Sequence, residues 1–155
     1  MKPRTALVTG ATGYIGGRLV PELLAAGFEV RVLARDANRL VDRPWFGDVT
    51  VVSGDASDRA ALDEAMAGVD VGYYLLHSLD HGAGFEEAEQ AMARGFGAAA
   101  AAAGMSRIVY LGGLAPSGED LSPHLASRLR VGQELRASGV PTAELRAAMI
   151  IGSGS

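Results

Sequence analysis

Thr5-Ala-Leu-Val-Thr-Gly10-Ala-Thr-Gly13-Tyr-Ile-Gly16 runs a short apolar strand into three glycines spaced G-x-x-G-x-x-G, and then into a helix. Gly10 permits the tight strand-to-helix turn, Gly13 lets backbone come close to an anion, and Gly16 lets the helix lie close on the strand. The N–H groups of Tyr14 and Ile15 at the helix start would then point at the anion, with Thr12 inside the loop. Leu19, Val20, Leu23 and Leu24 follow at helical spacing, Gly27 closes the helix, and Val30-Arg-Val-Leu-Ala34 forms a second strand ending in Arg35. In that context the loop is the expected seat of a dinucleotide pyrophosphate, although three glycines also read as a structural turn without a ligand.

The rest of the chain repeats the alternation. Strands are expected over 5–8, 29–34, 49–53, 69–76, 107–111 and 142–151, with helices over 14–26, 37–41, 58–67, 85–103 and 122–137. Alternating strands and helices predict a doubly wound parallel sheet in three α/β/α layers, of strand order 3-2-1-4-5-6, with its crevice above the strands' carboxyl ends. The 155 residues, 48% of them apolar, form one domain over 1–155. No apolar run reaches the length of a membrane span, and Met1-Lys-Pro-Arg4 precedes too short an apolar stretch for a signal peptide, so a cytoplasmic protein is expected. Without cysteine there is neither a disulfide framework nor a thiolate metal site. A net charge of −4 with scattered arginines makes nucleic acid an unexpected partner.

The long helix carries Phe85, Ala88, Met92, Phe96, Ala99 and Ala103 at three-and-four spacing and an alanine run over 98–103. Its small side chains allow close packing on the domain's own sheet, or a homodimer surface. His77, Asp80 and His81 fall within five residues, but Gly82 and Gly84 place them in a loop without fixed ligand geometry, so no metal is expected. Glu86, Glu87 and Glu89 suit the positive end of the following helix.

The ordered motifs TGATGYIGG (9–17), VRVLAR (30–35), GDASD (54–58), YYLLHS (73–78), RIVYLGGL (107–114) and SGVPTAELRAAMIIG (138–152) resemble the short-chain dehydrogenase/reductase superfamily. The resemblance covers nearly the whole chain and is strongest to the atypical and extended branches, including the NmrA-like NAD(P)H-binding proteins. It implies a Rossmann fold that binds a dinucleotide. Arg35 stands where an NAD-preferring member carries an acid for the ribose hydroxyls, so NADP(H) is the expected cofactor, with NAD possible and with Asn38 and Arg39 as helpers. Arg35 also reads as a solvated strand-end charge neutralised by Asp36. Asp55 and Ala56 match the family's adenine-contacting turn, although Asp55 could equally cap a helix. Leu75, Leu76 and His77 would flank the adenosine and inner ribose.

Superfamily reductases use a serine, a tyrosine and a lysine four residues after the tyrosine. The only lysine here is Lys2. The tyrosine and lysine positions hold His124 and Arg128, and the serine position falls in Leu111-Gly112-Gly113-Leu114. His124 could act as an acid or base with Arg128 on a phosphate or ribose; the plainer reading makes both helix-surface residues near the cleft. Ala147 replaces a proline common near the nicotinamide. Gly152-Ser-Gly-Ser155 reads as an appended linker or as a native loop; the resemblance favours the loop and a chain that is the N-terminal part of a longer protein. Two function classes follow, an oxidoreductase or epimerase completed by a downstream region that handles a small-molecule substrate, and a non-catalytic dinucleotide sensor answering to a small-molecule effector.

Overall fold

The computed structural model describes residues 2–77, 84–114, 121–148 and 150–153. Strand β1 (Thr5–Thr9) leads to α1 (Tyr14–Ala25), β2 (Glu29–Ala34), β3 (Thr50–Ser53), α2 (Arg59–Met66), β4 (Val71–Tyr74), α3 (Phe85–Ala102), β5 (Arg107–Gly113), α4 (Pro123–Ala137) and β6 (Thr142–Ala147). Every neighbouring pair is parallel, and the order is β3-β2-β1-β4-β5-β6. This is the doubly wound α/β sheet that the alternation of elements implies.

All five residues of β1 are buried, as a central parallel strand covered on both faces requires. Successive strand side chains point to opposite faces, so Leu7 joins a core of Leu62, Met66, Phe96, Ile108 and Leu135, while Ala6 and Val8 join Val20, Leu23, Val32 and Trp45. Helices α2, α3 and α4 cover the first face, and α1 with the segment after β2 covers the second. Gly97 lets α3 and α4 approach, since a Cβ there would lie 2.7 Å from the Ser138 Cβ. No helix among the described residues is long and apolar enough to cross a membrane.

Several boundaries differ from the sequence expectation for local reasons. β4 (71–74) is shorter than 69–76, and at its carboxyl end the Thr9 hydroxyl donates to the Tyr73 carbonyl at 2.9 Å and accepts from the Leu75 N–H at 3.4 Å, replacing the ladder. The expected helix over 37–41 is one 3-10 turn, Ala37–Leu40, capped by Asp36. β6 stops at Ala147 rather than 151, because Ala147 pairs with Gly113, the last residue of β5, and its carbonyl accepts the final bond from the Leu114 N–H at 2.9 Å. The chain then folds back over α1, where the Arg18 guanidinium donates to the Ser153 carbonyl at 2.6 Å. On α3, Phe96 and Ala99 are buried as expected, but Ala88 and Ala103 are exposed, and Ala93, Gly97 and Ala100 complete the inward face.

Candidate functional site

A cleft of about 820 Å³ opens at the carboxyl ends of the central strands. Its walls include Gly10, Thr12, Arg35, Asp55, Ala56, Leu76 and His77 from the expected set. Gly13, Tyr14, Ile15, Gly16 and Leu75 are not among the lining residues. Gly16 lies behind Gly10, where an added Cβ would sit 2.3 Å from the Gly10 carbonyl oxygen, so close helix-on-strand packing demands glycine. Gly10 itself has φ +80°, a conformation that favours glycine. Leu75 packs against the α1-side core. Tyr14 lies under the Arg18 guanidinium, 4.7 Å from its ring centroid, and against Gly152, where a Cβ would come within 1.8 Å of the phenolic oxygen.

Among the described residues no side-chain hydrogen bond caps the α1 N-terminus, where Gly13 is the N-cap residue and is exposed. A Cβ on Gly13 would meet only the loop's own Gly10 carbonyl, at 3.3 Å. A helix start without a side-chain cap, at an exposed glycine, fits the pyrophosphate of a dinucleotide.

At the end of β2, Arg35 is exposed and forms no ion pair among the described residues. Its neighbour Asp36 is turned away from that role, accepting from the Asn38 N–H at 3.0 Å. Arg39 shares the wall. Asp55 accepts from the Ser57 N–H at 2.8 Å and from the Ser57 hydroxyl at 2.7 Å, and these bonds hold its carboxyl below the ordinary value. The α2 cap is Asp58, not Asp55.

Sequence reading did not single out Thr9, Tyr74 and Val131, which also line the cleft. The signal for Thr9 was present, a hydroxyl at the last strand position before the loop. Glu89 and Met92 line it too, reaching in from α3. Glu89 accepts from the buried Ser127 hydroxyl of α4, so it ties two helices together as well as facing the helix dipole. Burial pushes the Tyr74 hydroxyl's pKa up, so at neutral pH it stays a phenol.

His124 and Arg128 lie on α4 outside the cleft lining. His124 is half-buried against Phe85, ring centroids 5.2 Å apart. Arg128 donates to the Leu111 carbonyl at 2.8 Å, and its buried Nε has no hydrogen-bond partner among the described residues. Nearby, Tyr110 donates to the Arg128 carbonyl at 2.9 Å. Among the described residues no group of three or more His, Asp or Glu is placed to hold a metal ion; Asp80 and His81 lie outside those residues.

The sequence profile of a family described as NAD(P)H-binding matches residues 10–150, and the chain belongs to that family. It is 39% identical over 136 residues to the (4-alkanoyl-5-oxo-2,5-dihydrofuran-3-yl)methyl phosphate reductase of Streptomyces griseus, covering 87% of this chain and 44% of the relative. A ceramide reductase of Caulobacter vibrioides is 35% identical over 143 residues, covering 88% and 43%. The chain therefore spans less than half the length of these curated relatives. Among solved structures, the Citrobacter sp. triphenylmethane reductase complexed with NADP(H) superposes with a TM-score of 0.77 at 25% identity, covering 94% of this chain and 50% of that one.

Proposed function

We propose that this chain is an NADP(H)-binding domain of the atypical short-chain dehydrogenase/reductase type, lacking the Ser-Tyr-Lys set and forming the N-terminal part of a longer protein. Arg35 carries the NADP(H) preference, as a cleft-wall guanidinium without an ion pair among the described residues, beside an acid already engaged with Asn38. In this reading Arg35 pairs with a 2′-phosphate, and Arg39 adds positive charge. The loop from Gly10 through Thr12, Gly13, Tyr14 and Ile15 to Gly16 takes the pyrophosphate. Asp55 and Ala56 meet the adenine, while Leu75, Leu76 and His77 flank the adenosine. A bound NADP(H) would supply hydride-transfer chemistry through its nicotinamide, while this chain's residues would hold its adenosine and pyrophosphate.

A second reading makes the chain the cofactor half of an NAD(P)-dependent oxidoreductase or epimerase whose substrate region lies elsewhere. The reductase names and greater length of the curated relatives favour it. Exposed Ala98, Ala101 and Ala102 on α3 support a homodimer through that helix.

Titration of the purified protein with NADPH and NADH, repeated on Arg35→Asp, tests the cofactor assignment. NADPH is expected to bind more tightly by about 1–3 kcal/mol, the scale of a charge-assisted bond, and the variant to lose that margin. Equal affinities in the parent remove the role of Arg35, and absence of both bindings removes the nucleotide site. With aldehydes, ketones and quinones the chain is expected not to oxidise NADPH. Turnover that disappears in His124→Ala would make His124 the proton donor.

A further inference from the structure

Helix α1 contains an interior proline, Pro21. Proline has no N–H to donate to the carbonyl four residues earlier, and its ring pushes that carbonyl outward. The carbonyl belongs to Gly17, one turn into the helix from the glycine loop. It is not left unsatisfied, because the Trp45 indole N–H donates to it at 3.1 Å. Trp45 is 6% exposed and belongs to the α1-side core, so this bond is anchored. Two residues earlier, the Arg43 guanidinium donates to the Thr12 carbonyl inside the loop at 3.2 Å. It lies across Gly17, where an added Cβ would come within 3.1 Å of Arg43 Nη1. Thr12 also lines the cleft.

We propose that Arg43 and Trp45 are positioning residues that clamp the glycine loop and the first turn of α1 from outside the cleft, presetting them for the pyrophosphate. Pro21 is not itself part of the clamp; it leaves the Gly17 carbonyl free for the Trp45 indole. The segment after β2 thereby does two jobs, with Arg35 and Arg39 at the cleft and Arg43 and Trp45 behind it. This rests on the dinucleotide reading of the cleft.

The test is calorimetric titration of the parent, Trp45→Phe, Arg43→Met, Pro21→Ala and the double variant Trp45→Phe/Pro21→Ala. The two ligands are NADPH and adenosine 2′-monophosphate, which lacks the pyrophosphate. Trp45→Phe and Arg43→Met are each expected to weaken NADPH about fivefold, the scale of one hydrogen bond, while leaving the monophosphate unchanged. Pro21→Ala alone should bind as the parent does. In the double variant the restored N–H of residue 21 satisfies Gly17, and NADPH affinity should return to the parent's. Unchanged NADPH affinity in Trp45→Phe and Arg43→Met, equal weakening of both ligands, or no rescue of Trp45→Phe by Pro21→Ala would each overturn the clamp. Failure of the parent to bind NADPH or NADH would instead overturn the site reading beneath it. Arg43→Met leaves the buried indole in place, so it decides the matter if Trp45→Phe does not fold.

Discussion

At the β1–β2–β3 end of the sheet's carboxyl edge, the α1 N-terminus has no side-chain cap and Arg35 has no ion pair among the described residues. At the β5–β6 end the polar groups are turned on one another. Arg128 holds the Leu111 carbonyl, Tyr110 donates to the Arg128 carbonyl, and Glu144 lies 2.5 Å from Arg136 and 3.3 Å from Arg146. Gly112 and Gly132 make the room that Glu144 occupies, since a Cβ on Gly112 would come within 2.7 Å of its carboxylate. The first region keeps exposed polar groups unpaired among the described residues, as the proposed cofactor site requires. The second region is paired mostly within the protein, as framework is, although the buried Arg128 Nε and Glu144 Oε1 are left without a hydrogen-bond partner among the described residues.

The sharpest way to break this contrast is within the glycine loop. Gly16→Ala sets a Cβ against backbone atoms that cannot yield, 2.3 Å from the Gly10 oxygen and 2.7 Å from the Ala11 Cα. A loss of about 3 kcal/mol in urea unfolding is expected, the upper range for overpacking. Gly13→Ala meets one backbone atom, the Gly10 carbonyl oxygen at 3.3 Å, so it should cost far less stability than Gly16→Ala while NADPH binding falls. If both variants behave alike, the distinction between packing glycine and ligand glycine fails.

Glu144 tests the other region. Its side chain is 8% exposed. Burial pushes its pKa up, but the hydrogen bonds from Arg146 and Arg136 outweigh burial and hold it below the ordinary 4.5. Because the folded value lies below the unfolded one, this carboxylate's stabilisation is complete above pH 4.5 and is lost as pH falls through the folded value. Glu144→Gln should cost about 2 kcal/mol at neutral pH, the scale of hydrogen bonds to a charged group. It should also flatten the acid limb of the stability profile. An unchanged limb would show that Glu144 is not part of the framework.

The smallest expected difference separates the two regions by ligand. If only the first region holds cofactor, NADPH and 2′,5′-ADP should bind within about 1 kcal/mol of each other, the scale of one ordinary hydrogen bond. Much tighter binding of NADPH in calorimetry would place a nicotinamide pocket within this chain.

How much of this was legible follows from how local each signal is. The glycine loop, Gly27 after α1 and the Ser122-Pro123 start of α4 act through neighbouring residues, and each could be read from sequence. The strand order followed from the alternation of elements. The end of β4 could not, because it is set by the Thr9 hydroxyl reaching across to Tyr73 and Leu75. Nor could the end of β6, which depends on where β5 runs out. Thr9, Tyr74 and Val131 reach the cleft from separated parts of the chain, and the Trp45 bond to Gly17 spans 28 positions. The place of Arg35 at the end of β2, on the cleft wall, was legible because it depends only on where that strand ends.

At the β5–β6 margin of the molecule Leu145 of β6 is 59% exposed and Leu114 just after β5 is also open to solvent, as are Ile150 and Ile151 in the segment after β6, Ile151 at 83%. Such a margin makes the protein's behaviour in solution depend on the kind of solute added. Contacts between apolar side chains strengthen in sulfate and weaken in mild denaturant, whereas contacts between opposite charges weaken with any added salt. Self-association through this margin therefore carries its own signature: it grows as sulfate is raised and recedes with a little urea, long before the buried sheet is disturbed.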